Sequence, residues 1–341
     1  IKKRSVNEIQ IDGVLIDDKD AIAEHFNTYF HSVFSVSSEK VILDPVCCSD
    51  YEDIVSLPGI VAMLLNLKTK TSSGPDGLPN AFLRRYSEAL TPFLAYIFRA
   101  SLSSSDLPID WRTARVVPVH KKGDIALITN YRPISLTSSC CKILEHIVAN
   151  YIIKFLTDNN ILSSSQHGFR KGFSTVAQLT TVIHSFASVL DKPGQTDIIF
   201  LDFQKAFDLV SHEKLLCKLK YIGLPSFIIN WISAYLSNRT HSVSIDGHHS
   251  RSLPVTSGVP QGSVLGPLLF LIFINDIVNV VTEPVQIRLF TDDCILYHEV
   301  VCREDQELLN TNLHNVHTWC QKWDMKLNET KTVNVHIMKK K

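Results

Sequence analysis

The sequence predicts an α+β fold, with helices packed on one face of a sheet. Three observations carry that expectation. Short apolar runs, such as Asp197 to Leu201, have the length of a buried strand and break at a polar residue. Longer segments place apolar residues at helical spacing between polar ones. Two hairpin signals, at Asp246-Gly247 and around Thr291-Asp292-Asp293, each join apolar alternating runs.

The elements follow in order. Residues 1–59 read as a helical lead-in, because Ile22, Phe26, Tyr29, Phe30 and Val33 recur at helical spacing between Asp20 and Phe34. A looser stretch holds Pro45, the Cys47-Cys48 pair and Pro58-Gly59. Ile60 to Leu67 is expected as a second helix, stopped by the turn-rich Thr71-Ser-Ser-Gly-Pro-Asp-Gly77. Val116 to Val119 reads as a strand. Asp197 to Leu201 is a buried strand, and Gln204 to Tyr221 a helix carrying Ala206, Phe207, Val210, Leu215, Leu216 and Leu219. Ser242 to Ile245 turns at Asp246-Gly247. Gly258 to Gly266 then opens a long apolar helix ending near Val281. Val285, Ile287 and Leu289 alternate up to the acidic turn, after which Ile295 and Tyr297 resume. Leu308 to Lys322 is the last expected helix.

Composition narrows the function. The chain has 341 residues, 45% of them hydrophobic, which excludes wholesale disorder. It carries 34 basic and 34 acidic side chains, so nucleic-acid binding has no support from net charge and must rest on local charge. Such a patch exists: between Trp111 and Lys142, residues Arg112, Arg115, Lys121, Lys122, Arg132 and Lys142 face a single acid, Asp124. A solvated surface is the competing explanation. The longest apolar stretch, Val264 to Ile274, is interrupted by Gly266 and Pro267 and falls short of the roughly 20 residues of a membrane span. Ile1-Lys-Lys-Arg4 lacks the apolar core of a signal peptide, and a start at Ile1 suggests a piece of a longer chain. The eight cysteines include the pairs Cys47-Cys48 and Cys140-Cys141 and no C-x-x-C, which fits reduced thiols in an intracellular protein. Cys302, His314, His317 and Cys320 could be assembled into a zinc site, but their spacing is not that of a finger, and they read as residues of a helix.

The chemistry concentrates in acids placed at strand ends. Asp202 closes Ile-Ile-Phe-Leu201, and Asp292-Asp293 sits at a hairpin flanked by Leu289-Phe290 and Cys294-Ile295. A carboxylate beside buried apolar surface is costly unless it is paired or holds a metal. Two such sites on adjacent strands could hold two Mg²⁺ ions for in-line phosphoryl transfer. Spacing alone favours a simple turn at Asp292-Asp293 and a core aromatic at Phe207, and it leaves Gln261-Gly262 readable as a helix-start turn.

The surrounding words say more. Phe200-Leu-Asp-Phe-Gln-Lys-Ala-Phe-Asp208, the run from Ser257-Gly-Val-Pro-Gln-Gly262 to Phe270, and Leu289-Phe-Thr-Asp-Asp293 occur in that order. Together they resemble the reverse transcriptase domain of non-LTR retrotransposons, the long-interspersed-element type. Ser73-Gly-Pro-Asp-Gly77, Val117-Pro-Val-His-Lys-Lys-Gly123, Asn130-Tyr-Arg-Pro-Ile-Ser-Leu136 and Gln166-His-Gly-Phe-Arg170 look like its finger motifs, and Leu327-Asn-Glu-Thr-Lys-Thr332 like its palm-end motif.

The resemblance implies a right-hand polymerase fold: fingers over 60–185 and a palm over 186–341, expected to stop before the helical thumb, with no endonuclease ahead of it. It implies an RNA-directed DNA polymerase with two Mg²⁺ ions, adding dNTPs to a DNA primer 3′-hydroxyl on an RNA template. In the family that primer is nicked target DNA, which places the protein in cytoplasm and nucleus and away from membranes. Asp202 and Asp292 would be the principal metal ligands and Asp293 a third carboxylate. Phe207 would exclude the 2′-hydroxyl that separates ribonucleotides from deoxynucleotides. Gln261 and Gly262 would approach the nucleotide, and Arg132 with one of Lys121 or Lys122 would grip the triphosphate. Lys331 would protonate the leaving pyrophosphate. Gly74, Asp76, Gly77 and Arg170 would touch the template. The alternative is a decayed, RNA-binding remnant of such an element. Thr291 departs from the alanine usual in the family.

Overall fold

Side-chain caps from Asp18, Ser56, Ser138 and Ser211 fix where four helices of this computed structural model begin. It describes residues 6–35, 54–70, 72–190 and 194–339; Pro45 and the Cys47-Cys48 pair lie outside them. A small hairpin, β1 (Ile9–Ile11) and β2 (Val14–Ile16), precedes α1 (Lys19–His31), which starts where Asp18 accepts from the Ala21 amide at 2.7 Å. Its buried face, Ile22, Ala23, Phe26, Asn27 and Phe30, follows the sequence periodicity. Next come α2 (Leu57–Leu65), α3 (Asn80–Arg85), α4 (Ser87–Ser104) and the short α5 (Ile109–Arg112). Ser56 caps α2 and Pro58 stands in its first turn, so this helix begins earlier than Ile60.

β3 (Thr113–His120) and β4 (Tyr131–Leu136) pair antiparallel and lead into α6 (Ser139–Asp158) and α7 (Thr175–Leu190). The remaining elements are β5 (Gln195–Leu201), α8 (His212–Tyr221), α9 (Ser226–Leu236), β6 (Arg239–Ile245), β7 (His248–His249), β8 (Leu253–Val255), α10 (Leu265–Ile274), β9 (Gln286–Phe290), β10 (Asp293–Val300), α11 (Arg303–Lys322) and β11 (Val333–Met338).

Among the described residues the later strands form an antiparallel sheet in the order β11-β5-β10-β9. A second, mixed sheet runs β4-β3-β6-β7, with β8 also on β6, and here β3 and β6 are parallel. This second sheet joins strands from both sides of residue 186. α1 covers it, burying Phe26 and Phe30 against Val116, Tyr131, Val243 and Ile245. The main core lies under the antiparallel sheet. There Ile199, Leu201, Leu289, Cys294 and Leu296 meet α6, α8, α10 and α11. α10 is apolar all round, and burial of every residue from Leu268 to Ile274 accounts for that.

Three expectations are corrected. The helix expected from Gln204 starts only at His212, where Ser211 caps the Lys214 amide; Lys205 has a left-handed φ of 44° and accepts from the Asp208 amide, so Phe207 stands in a turn. The apolar helix stops at Ile274 and continues as a 3₁₀ turn over Asn275–Val280. Helices flank both faces of the antiparallel sheet: α7 lays Phe186 edge-on to Tyr297, which points away from the core-facing Leu296. None of the described helices is long and apolar enough to cross a membrane.

Candidate active site

The register of β9 and β10 pairs Phe290 with Asp293, leaving Thr291 and Asp292 as a two-residue loop. On the other side of β10, Cys294 pairs with Leu201, so Asp293 and Asp202 are the next residues along neighbouring strands. Burial raises the Asp292 carboxyl above its ordinary value; the charges of Asp293 and Asp202 push the same way, and Arg132 opposes them. Strand pairing thus gathers three acids from positions 202, 292 and 293 of the sequence.

Cations surround them. The Asn328 amide donates to the Asp202 carbonyl at 2.7 Å and Phe203 bridges Leu327, which docks the last motif beside the first carboxylate. Lys331 Nζ lies 3.6 Å from Asp202 Oδ2. Lys121 follows β3, its amide bonded to the Asn130 carbonyl at 2.8 Å. Partial burial lowers its ammonium, with Arg132 and Lys331 as the next causes and Asp202 opposing. Lys121, Arg132, Lys331 and Asp202 therefore share one field. Lys121 and Lys122 are both exposed, and Lys122 adds to the positive charge that lowers Lys121, so both lysines border this field.

A second unit joins Phe207 to Gln261. The Val259 amide donates to the Phe207 carbonyl, and Ser257 Oγ to the Asp208 carbonyl, both at 2.8 Å. Gln261 Nε2 donates to Asp208 Oδ1 at 2.8 Å. On the far side the Ser135 amide donates to the Gln261 carbonyl at 2.7 Å, and Gly262, at φ 109°, would place any Cβ 2.7 Å from the Ser135 carbonyl oxygen. The loop therefore ties β4 to the Phe207 turn. Phe207 is half-buried and stacked on Phe270, centroids 4.6 Å apart at 19°. Sequence reasoning gave no role to Asp208; its signal was an acid inside the apolar run Ala206 to Val210. Burial raises its carboxyl, against the Gln261 hydrogen bond and Lys205.

The remaining expected residues hold their own loops. Gly77, at φ 68°, bonds back to the Gly74 carbonyl at 3.1 Å, and Asp76 accepts from the Leu78 amide at 3.2 Å. Gly74 packs on the Thr137 carbonyl, where a Cβ would stand at 2.7 Å. Arg170 Nη1 donates to the carbonyls of Ser163 and Gln166 at 2.5 and 3.1 Å, and its guanidinium covers Phe173 at 4.1 Å. Cys302 caps α11 with its thiol 3.2 Å from Asp305, whereas Cys320 is buried and His317 meets Gln321.

Among the described residues no three His, Cys, Asp or Glu side chains converge as a cage for a metal ion. The donor set still fits Mg²⁺. Asp202, Asp292 and Asp293 offer hard oxygen ligands, and a divalent cation would offset both the burial that raises Asp292 and the charges of Asp293 and Asp202 that add to it. Mg²⁺ commonly takes one or two carboxylates and completes its shell with water and substrate phosphates, so a closed protein cage is not required.

A family described as reverse transcriptase (RNA-dependent DNA polymerase) matches residues 119–341. The chain is 34% identical over 332 residues to a probable RNA-directed DNA polymerase from transposon BS of Drosophila melanogaster, covering 93% of this chain and 36% of that protein. It is 31% identical over 289 residues to the RNA-directed DNA polymerase from mobile element jockey of the same species, covering 82% and 31%. A retrovirus-related Pol polyprotein from type-1 retrotransposable element R2 of Popillia japonica is 26% identical over 279 residues, covering 78% and 37%. The chain spans about a third of the length of these curated relatives.

Proposed function

The chain belongs to the reverse transcriptase family, among the RNA-directed DNA polymerases of non-LTR retrotransposons, and on that basis we propose that it adds deoxynucleotides to a DNA primer on an RNA template. The observation that carries the proposal is the placement of Asp202, Asp292 and Asp293 at the ends of adjacent strands, within the field of Lys121, Arg132 and Lys331. In this reading the antiparallel sheet is the palm, and the finger side includes β3, β4 and the loop at Gly74 to Gly77.

Asp202, Asp292 and Asp293 would hold two Mg²⁺ ions, which supply Lewis acidity to in-line phosphoryl transfer when bound. Arg132 meets the triphosphate as a bidentate fork and Lys121 as a point charge, and both neutralise charge that grows on the leaving group. The primer 3′-hydroxyl gives up its proton to water, its oxygen attacks the α-phosphorus, the new ester bond forms, and the bond to pyrophosphate breaks. Lys331, held beside Asp202, donates a proton to the leaving pyrophosphate oxygen. Phe207, fixed against Phe270, lies under the incoming sugar, and Gln261 with Gly262 approaches the nucleotide. Template RNA runs past Gly74, Asp76, Gly77 and Arg170.

The test is incorporation of dNTPs on an RNA template with a DNA primer and Mg²⁺, with Asp292→Asn alongside and binding of the same duplex measured for both. The proposal expects incorporation by the wild type, its loss in Asp292→Asn, and retained binding by the variant. Binding without incorporation by the wild type would favour the RNA-binding remnant.

A further inference from the structure

Gln166 opens the motif Gln166-His-Gly-Phe-Arg170 and has no role in the reaction as drawn above. Its side chain is wholly buried. Gln166 Nε2 donates to the Thr291 carbonyl at 3.2 Å, and Gln166 Oε1 accepts from the Thr291 amide at 2.9 Å and the Gly168 amide at 2.7 Å. One carboxamide thus takes both main-chain groups of a residue 125 positions away.

Thr291 needs such a partner. It is the first residue of the two-residue loop and has a φ of 62°. Hairpins with positive φ at this position prefer glycine, because a Cβ crowds the backbone there, and a β-branched side chain crowds it most. Free of restraint, Thr291 would relax toward negative φ and turn the adjacent Asp292 with it.

The approach is built over several residues. The Leu289 amide donates to the Ser165 carbonyl and the His167 amide to the Leu289 carbonyl, both at 2.9 Å, so 165–167 runs parallel along β9. Beyond Leu289 the main chains no longer pair, and the Gln166 carboxamide continues the ladder as a substitute peptide group. Gly168 permits the contact: a Cβ there would stand 2.4 Å from the Thr291 nitrogen and from its Oγ1.

We infer that Gln166 is a positioning residue for catalysis, its carboxamide clamping Thr291 in the left-handed conformation that sets where Asp292 points. The inference rests on the polymerase reading for its effect on rate and on geometry alone for the clamp.

The test pairs turnover with hydrogen exchange. In the unmodified protein the Thr291 amide should be as protected as the amides of the β9–β10 ladder; an unprotected Thr291 amide overturns the clamp without recourse to any variant. In Gln166→Leu, which keeps the volume and loses the hydrogen bonds, that protection should disappear, and turnover should fall about 100-fold, the cost of misplacing a reacting group by about 1 Å. KM for dNTP and affinity for primer–template should change far less. In a Thr291→Gly background, where positive φ carries no steric penalty, the Gln166→Leu loss should shrink about tenfold. Equal losses in the two backgrounds would show that Gln166 does not act through Thr291. A wild type that extends no primer defeats the polymerase reading and leaves the exchange result to decide the clamp.

Discussion

Gln261 is fixed by Asp208: the 2.8 Å bond from its Nε2 to Asp208 Oδ1 joins the loop at 257–262 to the turn that carries Phe207. Because that carboxylate is buried, the bond is formed away from competing water, and hydrogen bonds to charged groups contribute about 1.5–3 kcal/mol. Asp208→Ala should free Gln261 and raise KM for dNTP more than it lowers kcat, whereas Asp208→Asn, which keeps an acceptor, should lie closer to the wild type. Single-nucleotide extension over a range of dNTP concentrations checks this. Equal effects of the two substitutions would remove Asp208 from the account.

Phe207 is half-buried and stacked on Phe270, so its ring presents a firm edge. Phe207→Ala should increase ribonucleotide use relative to deoxynucleotide use. The measurement is the ratio of kcat/KM for matched rNTP and dNTP, read beside a melting curve. An unchanged ratio in a folded variant would contradict the gate.

Lys331 and Asp202 form an exposed ion pair at 3.6 Å, with side chains 55% and 38% accessible. Pairs of this kind contribute little stability, about 0–1 kcal/mol. Lys331→Met should therefore melt near the wild type, while kcat falls on the order of 100-fold if the lysine acts as a general acid. Lys331→Arg should recover binding of primer–template but little of the proton transfer.

Burial lowers His241 to about 4, and the neighbouring His31 adds to the effect. Between 6.5 and 4 the unfolded chain binds a proton that the folded chain does not, so stability falls as pH drops through that window and is unaffected above it. His241→Phe removes this component, about 2–3 kcal/mol at pH 4. Melting temperatures of the two proteins at pH 7 and pH 4 give the comparison: the gap between them should close or reverse in favour of the variant at the lower pH.

Local signals were legible and long-range ones were not. Asp246-Gly247 announces its hairpin because both residues adopt positive φ, 49° and 96°, which few other dipeptides accept. α1 and α11 follow their periodicity, and Asp202, Asp292 and Asp293 could be named as site candidates from strand ends and motifs. The turn at 203–210 misled because its apolar residues also match a helix, and only the left-handed Lys205 and the Ser211 cap break it. Parallel pairing of β3 with β6 joins segments more than a hundred residues apart, and no local pattern encodes it. The same holds for Gln166 and Thr291, whose relation is a side chain meeting a distant main chain.

The most direct test of the central claim is single-nucleotide extension of a DNA primer on RNA templates that differ only in the first unpaired base. Each of the four dNTPs is offered alone with Mg²⁺. The account predicts extension by the complementary dNTP on each template, and none of it in Asp202→Asn. No extension on any template, or extension that ignores the template base, would contradict it.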